Sequence, residues 1–409
     1  MGIIWGCIAD DYMGAIEAAS SFSKGGLKTT LYFGIPDKRP VITTEAVVIA
    51  LKIRRIDKKE AAQTALRALV YLINIGSKHF YYKYGSYFDS TPIGNIGPVS
   101  DAIMDALGEK KAVICPASLD KKCIVSKGRM LVDGVPLAEA NPDPEYPMWE
   151  SEIAELLGTQ SRRPCINVDR EEMEEEIAEI WNRLNEFEKL TGKYYIIPDF
   201  AYKGDAFRIT EIFSEIKFFS GSSGIIEALA QRDRVSKLNF DSNAFDGNTL
   251  IISGSCSHFV QDKVGEYISA GGNAFKIDVI RLFYEKLKVS DLWKFVSESG
   301  GTAMVYSTDT AENVKYNKRH GERTVPQHLL SAISELAETA VENGYTRLII
   351  AGSETFEAII NKLDYKAFDI DETIENGIPV ITPLKNKNVR IIAIAGDMGG
   401  RDIFKSLVS

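Results

Sequence analysis

Two adjacent carboxylates, Asp10 and Asp11, close the first apolar run of the chain, Ile3–Ala9, and Gly14 follows at the start of a helical pattern. A carboxylate at the end of a strand can accept the proton of a substrate hydroxyl, and a second can hold a cation or a helix N–H. Side chains alternate across a strand, which predicts different tasks for the two aspartates. A second segment, Lys83–Gly97, carries Lys83, Ser86, Asp89, Ser90 and Asn95 among three glycines, directly after the apolar run His79–Tyr82. So many short donors suit a polyhydroxylated acid, with Lys83 supplying the charge that a carboxylate needs. The plainer readings are an ordinary N-cap for one aspartate and a polar surface turn for the segment.

Three loops in the second half share another pattern. Gly254-Ser255-Cys256-Ser257 follows Leu250–Ser253, Gly352-Ser353-Glu354-Thr355 follows Leu348–Ala351, and Gly396-Asp397-Met398-Gly399-Gly400 follows Val389–Ala395. Small residues let a backbone come close to a ligand, and a helix N-terminus offers free N–H groups and the positive end of a dipole. Glycine after a strand is common turn chemistry, so each loop alone is weak; together they predict a phosphate cradle. No GxxxxGK[ST] loop, no GxGxxG after the first strand and no GxSxG elbow occur. The four histidines and five cysteines show no metal-ligand spacing, so no protein metal site is assigned.

Positioning these loops is the work of alternating short apolar runs and longer helical patterns, the mark of parallel βαβ units. The fold class that follows is α/β, with two domains, each a largely parallel sheet flanked by helices. Strands are expected over Ile3–Ala9, Thr29–Phe33, Val47–Leu51, His79–Lys83, Ala112–Cys115 and Tyr194–Pro198, with one helix over Arg170–Leu190. The polar, aperiodic stretch Ser236–Asn248 divides the chain into expected domains 1–240 and 248–409. At 409 residues, 45% hydrophobic and 26% charged, the chain is ordinary globular material, too long for one core. A net charge of −9 disfavours nucleic-acid and anionic-membrane partners. Scattered cysteines in odd number indicate a reducing compartment, and no apolar run approaches the ~18 residues of a membrane span. A cytoplasmic protein is expected.

Read in order, the segments resemble the four-carbon acid sugar kinase family, nearest its 3-oxo-tetronate kinase branch. The resemblance covers almost the whole chain: Ala9–Ala15 (ADDYMGA), Lys83–Val99 (KYGSYFDSTPIGNIGPV), Cys115–Ala117, Leu131–Ala138, Gly221–Gly224, Gly254–Ser257 (GSCS), Ala351–Thr355 (AGSET) and Gly396–Phe404. It implies an N-terminal sugar-acid domain, a C-terminal nucleotide domain, and transfer of phosphoryl from ATP, with Mg2+, to a terminal hydroxyl, O4. By position it places Asp10, Asp11, Lys83, Ser86, Asp89, Ser90 and Asn95 on the sugar-acid side. Ser255, Ser257, Gly352, Ser353, Glu354, Thr355 and Gly396 fall on the nucleotide. A homodimer is the oligomeric expectation. Met13, Gly85, Tyr87, Cys123, Val260, Ile394-Ala395 and Asp397 depart from the family pattern, most by removing a donor or a positive charge. Loss of the usual arginine at 123 and lysine at 394 supports a rival reading, a paralogue that binds nucleotide or sugar acid but catalyses little. A third reading, an oxidoreductase using NAD, lacks its glycine fingerprint.

Overall fold

Runs of branched apolar residues such as Ala46–Ala50 are buried on both faces, as strands inside a helix-covered parallel sheet must be. A computed structural model describes residues 2–37, 43–88, 91, 93–140, 147–234, 247–321, 324–374, 378–394 and 399–408. They form two units, Met1–Leu238 and Asn239–Ser409.

In the first unit the strands are β1 (Trp5–Ala9), β2 (Thr29–Phe33), β3 (Ala46–Ala50), β4 (His79–Lys83) and β5 (Lys111–Cys115). After them come β6 (Cys123–Ser126), β7 (Arg129–Val132), β8 (Val135–Pro136), β9 (Cys165–Val168), β10 (Tyr194–Pro198) and β11 (Phe218–Gly221). The main sheet runs β2-β3-β1-β4-β11-β5-β10-β9, every pair parallel. β6, β7 and β8 make a small antiparallel sheet of their own. The second unit contains β12 (Asn248–Ser253), β13 (Ala274–Lys276), β14 (Thr302–Tyr306), β15 (Tyr345–Ala351), β16 (Ala367–Ile374), β17 (Ile378–Pro383) and β18 (Arg390–Ile394). Its order is β13-β14-β12-β15-β18-β17-β16, parallel from β13 to β18 and antiparallel at β17 and β16.

Both units are wound alike. The first strand of each lies between the third and the fourth: β1 between β3 and β4, β12 between β14 and β15. The connections therefore leave in opposite directions at β1 and at β12, and it is beyond the carboxyl ends of such strands that doubly wound sheets bind their ligands. The expected strand bounds Thr29–Phe33, His79–Lys83 and Tyr194–Pro198 are found as written.

The single helix expected over Arg170–Leu190 is instead two helices, Arg170–Met173 and Ile177–Thr191. Asp169 opens the first with a capping box to Glu172, and the crowded carboxylates Glu174–Glu176 separate the two. Among the described residues, no helix is long and apolar enough to cross a membrane.

Candidate active site

β1 ends at Ala9, and Asp10 begins the bend into the helix Tyr12–Lys24. Its backbone is pinned on both sides, the N–H donating to Lys83 O at 3.0 Å and the C=O accepting from Ile53 N at 3.0 Å. Asp10 is buried, its side chain 3% exposed, and its carboxylate receives a two-pronged contact from Arg54: Nε to Oδ2 and Nη2 to Oδ1, each 2.8 Å. Burial pushes the Asp10 carboxyl up, and the Arg54 guanidinium pulls against that. Asp11 is the N-cap of the helix, its Oδ1 accepting from Gly14 N at 2.5 Å. Its Oδ2 pairs with the same Arg54, and its side chain is 32% exposed.

The two aspartates do differ in task, one buried and clamped, the other capping and open. Strand alternation does not separate them, however. The chain has left the strand at Asp10, and both carboxylates converge on one guanidinium.

Arg54 is the residue that sequence reasoning missed. It sits in the loop after β3, brought beside Asp10 because β3 pairs with β1 in register, Ala50 against Ala9. Asn95 holds that loop from beneath: its Nδ2 donates to the carbonyls of Ile53 (2.6 Å), Arg54 (3.2 Å) and Ile56 (2.9 Å). Asn95 is buried, and these bonds support the Arg54 loop. Gly85 lies against the guanidinium, where a Cβ would stand 3.3 Å from Arg54 Cζ.

Lys83 ends β4, beside β1, and its side chain is 1% exposed. Its Nζ donates to Tyr84 O at 2.8 Å and faces Glu17 Oε2 at 3.5 Å. Glu17 belongs to the helix that Asp11 caps, and its other oxygen meets Lys121 Nζ at 3.3 Å. A carbon placed on Gly14 would lie 3.0 Å from Asp11 Oδ1 and 3.1 Å from Lys83 Nζ, so only glycine leaves the two groups undisturbed. Ser86 is half-buried in the turn after β4, near these groups in sequence. Asp89 and Ser90 lie outside the described residues. Cys123 is fully buried at the start of β6, with Sγ donating to Lys121 O at 3.4 Å.

The second unit carries a cavity of about 560 Å³ beyond β12 and β15, of the size that holds a nucleotide. Of the residues expected there, Ser255, Gly352, Ser353, Glu354 and Thr355 line it. Gly352 takes a left-handed φ of +112°, and a Cβ would come within 3.1 Å of Ser255 N, so the two loops are pressed together by the absence of a side chain. A Cβ on Gly254 would overlap the buried Thr355 hydroxyl. Ser257 does not line the cavity; it caps the helix His258–Ser269, its Oγ accepting from Val260 N at 3.3 Å. Gly396 lies outside the described residues.

The far wall was not foreseen. Val325, Leu329, Leu330 and Ile333 from the helix Thr324–Glu342 provide an apolar face, while Asn317, Lys318 and Asp309 supply polar groups. Asp309 takes hydrogen bonds from Asn313 Nδ2 (2.7 Å) and Thr310 N (2.9 Å), and pairs with Lys276 at 2.9 Å. Burial works against its charge, but those donors hold its carboxyl below the usual range. Ile394 and Val260, two departures from the family pattern, are fully buried members of one apolar core. A lysine at 394 would have to carry its ammonium out of that core.

A cluster of charges beyond one parallel sheet and a glycine-looped, half-apolar cavity beyond another are the layout of a two-domain α/β protein with a separate candidate site on each unit. The comparisons agree. The family model described as a sugar-binding N-terminal domain matches residues 5–229, and that described as a nucleotide-binding C-terminal domain matches 250–404. A 3-oxo-tetronate kinase from Pseudomonas fluorescens is 29% identical, over 98% of this chain and 95% of its own. One from Brucella melitensis is 30% identical, over 98% and 94%. The crystal structure of a Haemophilus influenzae protein superposes with a TM-score of 0.83 at 28% identity, covering 98% of both chains. The chain belongs to the four-carbon acid sugar kinase family, phosphotransferases that use an alcohol group as acceptor. As such a kinase it takes a small sugar acid and ATP.

Proposed function

We propose that the protein transfers the γ-phosphoryl group of ATP to the terminal O4 hydroxyl of a four-carbon sugar acid, a 3-oxo-tetronate, with erythronate and threonate as related acceptors. Residues 1–240 hold the acid and residues 248–409 the nucleotide. The observation that carries this reading is the charge cluster beyond β1 and β4, where a part-exposed carboxylate, Asp11, lies one glycine away from a lysine. In-line transfer needs a carboxylate to accept the proton of the attacking hydroxyl, and positioning with electrostatic stabilisation does the rest. Asp11 is our choice for that base, because its side chain is ten times more exposed than that of Asp10, 32% against 3%. Its two partners, Gly14 N and Arg54, leave lone pairs on the carboxylate for a substrate hydroxyl. Asp10 serves as the buried anchor of Arg54.

In the second unit, the loops at 254–257 and 352–355 present backbone N–H groups to phosphates, the apolar wall takes the base, and Lys318 supplies a cation. No cluster of three potential ligands occurs among the described residues, and Mg2+ in kinase sites is held by one or two carboxylates together with the phosphates. Glu354 and Asp309, the carboxylates lining the cavity, fit that donor set. When bound, the ion would neutralise charge on the transferring phosphates.

The test is ADP release with a panel of 3-oxo-tetronates, erythronate and threonate, alongside calorimetry of each acid and of ATP. Turnover with at least one four-carbon acid is expected. ATP binding without turnover of any of them would select the non-catalytic paralogue instead.

A further inference from the structure

Beyond the carboxyl ends of β14, β12 and β15, three residues come level. Tyr306 pairs with Ser253 and Ser253 with Ala351, so the next positions, Ser307, Gly254 and Gly352, form a row across three neighbouring parallel strands. The row stays tied to the sheet: Ser307 N donates to Ser253 O at 2.9 Å, and Gly254 N to Ala351 O at 3.0 Å. All three residues line the cavity of the second unit. Two of them have no side chain, so Ser307 brings the row its one functional group.

Alternation along β14 sets the direction of that side chain. Ser307 and Asp309 line the cavity, whereas Thr308 between them turns to the opposite face, its Oγ1 2.7 Å from Ser253 Oγ. Met304 and Ile251, in step with Thr308 and Ser253, belong to the apolar core on that opposite face. Ser307 is 6% exposed, and its Oγ has no hydrogen-bond partner among the described residues. Leaving a buried hydroxyl unpaired is costly, and on a cavity wall a ligand can supply the missing partner.

The two ends of the row differ in what they suit. Gly352 passes directly into the helix Ser353–Lys362, whose first N–H groups have no side-chain cap. The helices that follow Gly254 and Ser307 are both capped, by Ser257 and by Thr310. Phosphate is therefore favoured at the Gly352 end, and Ser307 N is already spent on the sheet. Ser307 stands two strand spacings from Gly352, roughly 10 Å, with Gly254 between them. A nucleotide laid along the row with its phosphates at the glycines brings its sugar onto Ser307. We infer that Ser307 exchanges a hydrogen bond with a ribose hydroxyl of the nucleotide, and so distinguishes ribonucleotides from their deoxy counterparts. This rests on the nucleotide reading of the same cavity.

The test is calorimetry of the full chain, wild type and Ser307→Ala, with ATP, 2′-deoxy-ATP and 3′-deoxy-ATP, each with Mg2+. Wild type is expected to bind ATP roughly 2- to 10-fold more tightly than one of the deoxy nucleotides, the value of one neutral hydrogen bond. Ser307→Ala should lose that factor for ATP and bind the same deoxy nucleotide as the wild type does, so the two ligands become equal. The ligand-free variant should melt no lower than the wild type, because the hydroxyl it lacks has no partner in the fold. A wild type that binds ATP while Ser307→Ala weakens all three nucleotides equally, weakens none, or melts more than about 1 °C lower would overturn the ribose assignment and leave the nucleotide reading standing. A wild type that binds no ATP would overturn the nucleotide reading itself, and the assignment with it.

Discussion

Arg54 is the hinge of the first crevice, and its removal gives the sharpest structural prediction. Arg54→Met takes both prongs from Asp10 and the charge partner from Asp11 while keeping a flexible apolar stem of similar reach. Breaking a buried pair by deleting one member costs about 3–5 kcal/mol, because the other charge stays buried and unpaired. Here Asp10 is 3% exposed but Arg54 is 28% exposed, so water reaches part of the vacated space and lowers the cost to the bottom of that range or just below it, about 2–3 kcal/mol. For a unit of this size, 1 kcal/mol moves the melting temperature by about 2–4 °C, which gives a drop of roughly 5–10 °C. The assay is calorimetric unfolding of wild type, Arg54→Met, Asp10→Asn and the double variant. Asp10→Asn removes the buried charge, so the double variant should lose much less than the sum, with a coupling of about 2 kcal/mol. A melting temperature of Arg54→Met within about 1 °C of wild type, or a coupling near zero, would refute the clamp.

Other outcomes follow from the same contacts. Asp11→Asn should fold normally yet lose about 100-fold or more in kcat, whereas Asp10→Asn should chiefly lower stability; the reverse pattern would move the base to Asp10. Gly14→Ala crowds Asp11 and Lys83 at 3.0 and 3.1 Å. Its kcat/KM for the acid should fall about tenfold while the helix loses no stability, since alanine is the better helix former by ~1 kcal/mol. Gly254→Ala forces a Cβ into the Thr355 hydroxyl and should destabilise the second unit by about 1–3 kcal/mol and weaken ATP binding, measured by calorimetry. Asp309 has a lowered folded pKa, so its contribution, on the order of 1 kcal/mol or less, is present above the ordinary carboxylate value near ~3.9. It is lost as pH falls through the still lower folded pKa. Asp309→Asn should remove that acid limb from the melting-temperature profile.

The parallel strands were legible because an apolar run bounded by turn residues has few other uses, as Thr29–Phe33 and His79–Lys83 show. The glycine loops at 254 and 352 were legible for a related reason: small residues after a strand leave room for a ligand backbone contact. What escaped was everything that depends on which strand lies beside which. Arg54 is 44 residues from Asp10, within a basic stretch, Lys52–Arg55, that reads as a solvated surface until β3 is set beside β1. Glu17 and Lys121 look like ordinary helix and turn charges for the same reason. That the Asn95 amide donates to the 53–56 carbonyls was equally hidden, because nothing in the sequence sets that loop above it. The apolar wall of the second cavity lies on a helix whose inward face reads as core whether it meets a sheet or a nucleotide base.

The charges missing at 123 and 394 also look different in place. Both positions are fully buried. Restoring arginine at 123 or lysine at 394 would thus place a charge in a core, so neither variant is expected to raise activity.

The most direct measurement is proton-coupled phosphorus NMR of a reaction containing the protein, ATP, Mg2+ and a 3-oxo-tetronate. Transfer to O4 gives a phosphomonoester resonance split into a triplet by the two protons on the terminal carbon, growing as the γ-phosphate signal of ATP declines. A doublet, which marks a secondary hydroxyl, a lone inorganic phosphate singlet, or an unchanged ATP spectrum would contradict the account.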